Sequence, residues 1–319
     1  MKPSSSAAPA SNQVIDTHCH IASLDFIPPE FVDGIVSNIE LALDSQGVRA
    51  AASKVREVYL AKLQDPLCDE LVSEMDGAEI DHAVLLAPDF TYALKGSRLT
   101  IEEILLHHKT VYERHQGRFS VFAGVDPRWG KDGIDLFERS IRDFGFHGLK
   151  VYPPCGFPGS DPQLYPYYEI CARWHVPVLV HIGGTCPALA FDTASPVQLD
   201  EAARNFPRVN FILAHGSVSY VEECAMMCSF RPNVYLDVSG FQTAELVALE
   251  QLLRRGFKHK VLFGTDWPLF RLQGSQNECL AKLKAEGGPL EQLRNHELRA
   301  FFGGTVAKLL GTRSDPTQR

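Results

Sequence analysis

The feature that most constrains this chain is a rhythm. Short apolar runs alternate with longer amphipathic stretches at 82–87, 119–124, 148–152, 177–181, 209–215, 233–238 and 260–264, with an earlier run at 14–18. Near-continuous apolar runs read as strands buried on both faces, and strands spaced by helical segments read as a parallel sheet covered by helices. Counting the run at 14–18 gives eight strand–helix units, which predicts a (β/α)8 TIM barrel. A doubly wound sheet is the alternative. It would not explain why polar, ligand-type residues close so many of these runs.

The first run is Val14-Ile15-Asp16-Thr17-His18-Cys19-His20. Residues two apart on a strand point the same way, so His18 and His20 can present two imidazoles to one point. Leu179-Val180-His181, Leu213-Ala214-His215 and Phe263-Gly264-Thr265-Asp266 end in the same manner. In a barrel all carboxyl ends ring one mouth. Three or four imidazoles with one carboxylate suit zinc or another borderline divalent ion, with a coordination position left for water. Position sets the other histidines apart. His82, His147 and His259 start strands, and His107, His108, His115, His175 and His296 fall on helices or their ends, so none of these is expected to take part in chemistry.

Between the first and second strands, 21–80 holds helix-compatible spacing at 31–43, 48–63 and 67–78 after a break at Pro28-Pro29. That is too long for an ordinary connection, and it predicts a helical insertion that caps the mouth. The Ser/Ala/Pro-rich 1–12 stretch lacks the apolar core of a signal peptide and reads as a disordered tail. A barrel over 13–312 and a tail at 313–319 complete the domain plan. No apolar run reaches the roughly 18 residues of a membrane span. The net charge of −8 opposes a nucleic-acid or anionic-membrane partner and points to a small-molecule substrate. Eight scattered cysteines without a Cys-x-x-Cys module read as reduced, which implies a cytoplasmic protein. Homodimer assembly is compatible with the composition.

The wording around these residues resembles the amidohydrolase superfamily: His-x-His after strand one, His after strands five and six, Asp after strand eight. Asp16-Thr17-His18-Cys19-His20, Gly148-Leu149-Lys150-Val151-Tyr152-Pro153, Pro177 to His181, Asn233 to Asp237 and Leu262-Phe263-Gly264-Thr265-Asp266-Trp267-Pro268 look like its amidohydrolase-2 branch. That branch includes aminocarboxymuconate-semialdehyde decarboxylase and related hydrolases. The resemblance implies one divalent metal ion, zinc in the first instance, held by His18, His20, His181 and Asp266. It makes Asp266 and His215 the catalytic pair, with Asp266 carrying the proton of a metal-activated water. Lys150 either pairs with a substrate carboxylate or phosphate, or is carboxylated and bridges a second metal. Tyr152, Trp267 and Arg271 are further substrate-binding candidates, with Phe157, Asp126, Arg128 and Trp129 as weaker ones at the mouth. The activity implied is a metal-dependent hydrolase of an ester, lactone or amide of a small cyclic or aromatic carboxylate. The alternative is a metal-dependent non-oxidative decarboxylase. A nuclease-type barrel fits less well, because its relatives carry Glu where this chain has Lys150.

Overall fold

A computed structural model describes residues 13–243 and 246–311. The expected tails at 1–12 and 313–319 lie outside the described residues. The strands are β1 (Ile15–Cys19), β2 (His82–Ala87), β3 (Phe119–Gly124), β4 (Gly148–Val151), β5 (Val178–Val180), β6 (Phe211–Leu213), β7 (Val234–Asp237) and β8 (Val261–Leu262). They form one sheet in sequence order, and every neighbouring pair is parallel. The last edge meets the first just beyond β8: Thr17 N donates to Phe263 O at 3.0 Å, Asp266 N to His18 O at 2.8 Å and His20 N to Trp267 O at 2.7 Å. The expected TIM barrel is therefore present.

Helices α1 (Pro29–Ser45), α2 (Ala52–Ala61), α3 (Asp69–Gly77), α4 (Ile101–Arg114), α5 (Gly130–Arg142), α6 (Tyr165–Trp174), α7 (Asp200–Asn205), α8 (Val221–Phe230), α9 (Val247–Leu253), α10 (Gln276–Lys284), α11 (Asn295–Arg299) and α12 (Thr305–Gly311) connect and cover the strands. None is long and apolar enough to cross a membrane. Pleat alternation sorts side chains into two cores. On β2, Ala83, Leu85 and Ala87 pack outward under the helices, whereas Val84 and Leu86 join Ile15, Phe122, Leu179, Ile212 and Leu262 inside the barrel. Val306, Leu309 and Leu310 of α12 belong to that inner cluster. The same alternation buries Leu149 and Val151 outside and turns Lys150 inward.

The segment between β1 and β2 divides into two parts. Pro29 opens α1 at its first turn, where its fixed φ and missing N–H cost nothing. Val32 and Val36 of α1 share a small cluster with Val55 and Tyr59 of α2 and with Leu63. Gly34 seats this hairpin on the loop after β5, because a Cβ there would lie 2.7 Å from Cys186 Cβ. α3 differs: Leu71 and Met75 lie in the outer barrel core with Ile80, so α3 is the barrel's own first helix. The second helix is shorter than its 48–63 spacing predicts, since residues 46–51 are spent on the turn that reverses the chain.

His82, at the start of β2, shows what a structural histidine looks like in this fold. Its Nδ1–H donates to Gly117 O at 3.0 Å and its Nε2 accepts from Ser120 Oγ at 3.0 Å, so the neutral ring is fully satisfied. Burial lowers its pKa to about 4, although the bond to Gly117 pulls the other way. The unfolded chain, with its imidazole near 6.5, thus binds more protons between those values, and stability falls as pH drops through that window. His82→Gln is expected to show a smaller loss of unfolding free energy between pH 7 and pH 5 than the natural protein, by about 2 kcal/mol. Urea titrations of both proteins at the two pH values check this.

Candidate active site

The carboxyl ends of β1, β4, β5, β6 and β8 converge at the mouth. A register irregularity between Asp16 and Cys19 lets Ile15 face the barrel interior while His18 and His20, three and five residues on, face the cavity above it. His18, His215 and Asp266 each place a ligand atom within 4.8 Å of the other two. His20 Nε2 lies 3.1 Å and His18 Nε2 3.4 Å from Asp266 Oδ1. The His181 ring centroid is 4.8 Å from that of His215. His215 and Asp266 both have left-handed backbone, φ 61° and 59°. Such conformations cost a non-glycine residue roughly 1–3 kcal/mol and persist where the surroundings impose them.

Those surroundings are visible. Asp16 is fully buried, and its Oδ1 accepts from His18 N at 3.1 Å and Thr265 N at 2.9 Å. Its Oδ2 accepts from Thr265 Oγ1 and, at 2.9 Å, from Gln276 Nε2, so one carboxylate ties β1 to the β8 loop. Burial pushes the Asp16 carboxyl up to about 6 against those bonds. Asp237, the last residue of β7, accepts from His18 Nδ1 at 2.9 Å. Ser239 Oγ, itself bonded to Asp237, lies 3.0 Å from His18 Nδ1 and 2.9 Å from His215 Nδ1. His20 Nδ1 donates to Leu86 O at 2.9 Å. With their Nδ1 edges turned outward in this way, His18 and His20 keep Nε2 lone pairs for the centre.

The charge states suit the same purpose. Burial, followed by the nearby Lys150 ammonium, holds His18 well below the ordinary imidazole value. Burial, His215 and Lys150 do the same to His181. Burial raises the Asp266 carboxyl, but the imidazoles of His18, His215 and His20 more than offset this and keep it below its ordinary value. Neutral imidazoles and one carboxylate are the protonation states a divalent cation requires. Beside the centre itself, His181 Nε2, Asp266 Oδ1 and Lys150 Nζ are buried with no hydrogen-bond partner among the described residues. An unmet buried group costs about 1–3 kcal/mol. A cation would satisfy the first two and an anion the third.

The cavity around this centre is mostly apolar, lined by Phe26, Phe31, Leu63, Phe90, Ile104 and Leu269 among others. Five of its apolar lining residues, Ile21, Phe26, Ile27, Phe31 and Leu63, come from the segment between β1 and α3. Its free space is about 70 Å³, room for a few waters. A larger open groove of about 990 Å³, over α5, lies away from all of these residues.

Of the remaining candidates, Lys150 and Tyr152 line the cavity. Tyr152 stacks on His181 at 4.3 Å between centroids, and its hydroxyl meets Thr185 Oγ1 at 2.7 Å. Trp267 and Arg271, the other two substrate-binding candidates, are not among the residues that line it. Arg271 Nη2 lies 2.8 Å from Glu70 and 2.9 Å from Glu74 of α3, and its guanidinium covers the Trp267 ring at 5.1 Å. Its charge is already spent on carboxylates of the barrel wall. Asp126 and Arg128 pair with each other, Trp129 donates to Asp89, and Phe157 packs beneath Arg128; none lines the cavity. Three contributors escape the sequence reading. Asp237 closes an apolar run as the ligand residues do, so the strand-end rule could have found it. Ser239 follows two residues later. His108, assigned to a bland helix face, lines the cavity; its only signal is its place on the apolar face of α4 with Ile101, Ile104, Leu105 and Val111.

A (β/α)8 barrel that gathers imidazoles, a carboxylate and a lysine at the carboxyl ends of its strands belongs to the class of TIM-barrel enzymes with a metal-type centre. More narrowly, the chain belongs to the amidohydrolase-2 family, whose model matches residues 15–312. It is similar in structure to an uncharacterised TIM-barrel protein from Bordetella bronchiseptica (TM-score 0.68, 18% identity, covering 94% of this chain and 99% of that one). It is also similar to 5-carboxyvanillate decarboxylase from Novosphingobium aromaticivorans (TM-score 0.66, 14% identity, 93% and 97% covered), solved with bound manganese and 3-methoxy-4-hydroxy-5-nitrobenzoic acid. In sequence, 100 residues are 33% identical to 2-keto-4-carboxy-3-hexenedioate hydratase from a Sphingobium strain, covering 26% of this chain and 29% of that protein.

Proposed function

We propose that this enzyme is a metal-dependent carbon–carbon lyase that removes CO2 from an aromatic or similarly unsaturated carboxylate. The observation that carries this is Lys150 Nζ: 2% exposed, without a hydrogen-bond partner among the described residues, and set beside the imidazole–carboxylate centre in a cavity walled mostly by hydrocarbon. Burial lowers its pKa to about 8 while Asp266 and Asp237 resist the fall, so it still carries its charge through most molecules at pH 7. That is a slot for one anion facing hydrocarbon walls. Hydrolysis, the first expectation from sequence, uses the same centre but has no special need of a desolvated carboxylate site.

His18, His20, His181 and Asp266 would hold the divalent ion, zinc or manganese, with His215 close enough to serve as a further donor. Bound there, such an ion neutralises charge on substrate oxygens. Lys150 pairs with the substrate carboxylate and orients it. The apolar walls raise the free energy of that anion relative to neutral CO2. The bond from ring carbon to carboxylate carbon breaks, and its electron pair stays on the ring carbon. Asp266, having taken a proton from a substrate hydroxyl or from water, delivers it to that carbon, and CO2 departs uncharged. Addition of water to an activated double bond is a second reading, favoured by the sequence likeness to a hydratase.

The test is to load the protein with Zn2+ or Mn2+ and offer dihydroxybenzoates, muconate-type acids, lactones and aryl esters, following CO2 release and substrate absorbance. CO2 release from a carboxylate is the expected result; turnover confined to lactones or esters overturns the proposal. Asp237→Asn is expected to weaken divalent-ion binding about 10–100-fold, since it loosens the group that fixes the His18 ring. Calorimetric titration of both proteins with Zn2+ checks it.

A further inference from the structure

Nothing in the proposed reaction uses His108, yet α4 turns it into the substrate cavity. Its side chain is 2% exposed. Nδ1–H donates to Ile104 O, one helical turn back, at 2.8 Å. In the neutral ring Nε2 is therefore the lone-pair nitrogen, and it has no hydrogen-bond partner among the described residues. The ring sits 5.6 Å from that of Phe26, and Phe26 and Ile104 are cavity walls too. Two histidines outside the cavity show the ordinary arrangement: His107 Nε2 bonds Pro66 O at 2.6 Å, and both nitrogens of His82 are met. A leucine would fill the same apolar helix position with no unmet group.

We propose that His108 is a specificity-determining residue whose Nε2 accepts a hydrogen bond from a substrate hydroxyl, so that the site selects hydroxylated unsaturated carboxylates over their deoxy counterparts. The proposal rests on reading this cavity as the substrate pocket. Burial keeps His108 neutral, lowering its pKa to about 3 against the bond to Ile104. It therefore recognises an O–H donor rather than a carbonyl or a second carboxylate. Its position in the hydrocarbon wall leaves the anion to Lys150, so the two contacts read different groups of one ligand.

The probes are benzoate, 3-hydroxybenzoate and 4-hydroxybenzoate, titrated calorimetrically into the metal-loaded full chain. The natural protein is expected to bind one hydroxy isomer about 10–100-fold tighter than benzoate, the range an unmet buried acceptor supports. His108→Phe should abolish that preference while keeping benzoate binding, and His108→Gln, which retains an acceptor, should keep part of it. In the natural protein the 15N resonance of His108 Nε2 should move on adding the preferred hydroxybenzoate and not on adding benzoate, a readout that does not depend on any variant folding. Preference surviving in His108→Phe, absence of preference in the natural protein, or an unmoved Nε2 resonance each overturns the assignment. If benzoate binds without hydroxyl preference, only His108 is misassigned; if none of the three acids binds, the reading of the cavity fails and this assignment with it.

Discussion

Asp266→Asn is expected to retain most of the divalent-ion binding and to lose about 10²–10⁴-fold in turnover, the usual worth of a positioned acid–base group. Asp266 stands within 3.1 Å of His20 Nε2 and 3.4 Å of His18 Nε2, on a loop whose left-handed backbone at this residue is braced by Asp16. An amide fits the same space and can still offer an oxygen to a cation. What it cannot do is accept and return a proton. Metal analysis beside turnover on the same preparation separates the two properties. Near-normal turnover with full metal would remove Asp266 from the proton-carrying role; loss of metal would instead make its charge the main holder of the ion.

His181→Ala is expected to lose metal and activity together. Its Nε2 is buried with no hydrogen-bond partner among the described residues, its ring is fixed by stacking on Tyr152, and burial, then His215 and Lys150, disfavour any proton on it. A nitrogen so placed has a lone pair and no other use for it. Removing it should weaken the ion by more than the roughly 10–100-fold expected when only a supporting group such as Asp237 is altered. Dialysed protein assayed for bound Zn2+ or Mn2+, alongside activity, checks this. Normal metal content in the variant would take His181 out of the ligand set. Because Tyr152 also bonds Thr185, the loop after β5 should keep its shape in the variant, which keeps the comparison clean.

The residues at the centre were readable from sequence for a simple reason. In a parallel barrel every strand delivers its last residues to the same rim, so a histidine or aspartate closing an apolar run is already placed. His18, His20, His181, His215 and Asp266 all follow that rule, and Asp237 follows it as well. The same periodicity that hides Leu149 and Val151 under helices turns Lys150 inward, and no long-range information is needed to say so. The eight-unit barrel itself was legible on the same grounds, because two-sided burial leaves near-continuous apolar runs.

Residues on loops and helices obeyed no such rule. Arg271 reads as a mouth cation, but Glu70 and Glu74, some 200 positions away, draw it onto α3, and Trp267 lies beneath it. His108 reads as part of a helix face, and only the packing of α4 against Phe26, in the stretch between β1 and α1, turns that face into a cavity wall. The split of the 21–80 segment into a capping hairpin and a barrel helix also came from packing: the helical spacing of all three is alike, while α3 sets Leu71 and Met75 in the outer core and α2 buries Val55 and Tyr59 in a small cluster with Val32 and Val36 of α1. Strand periodicity is a local property and fixed the chain's fold and metal-type centre. Which side chains close the cavity around a ligand depended on contacts between segments far apart in sequence, and those the tertiary structure alone decided.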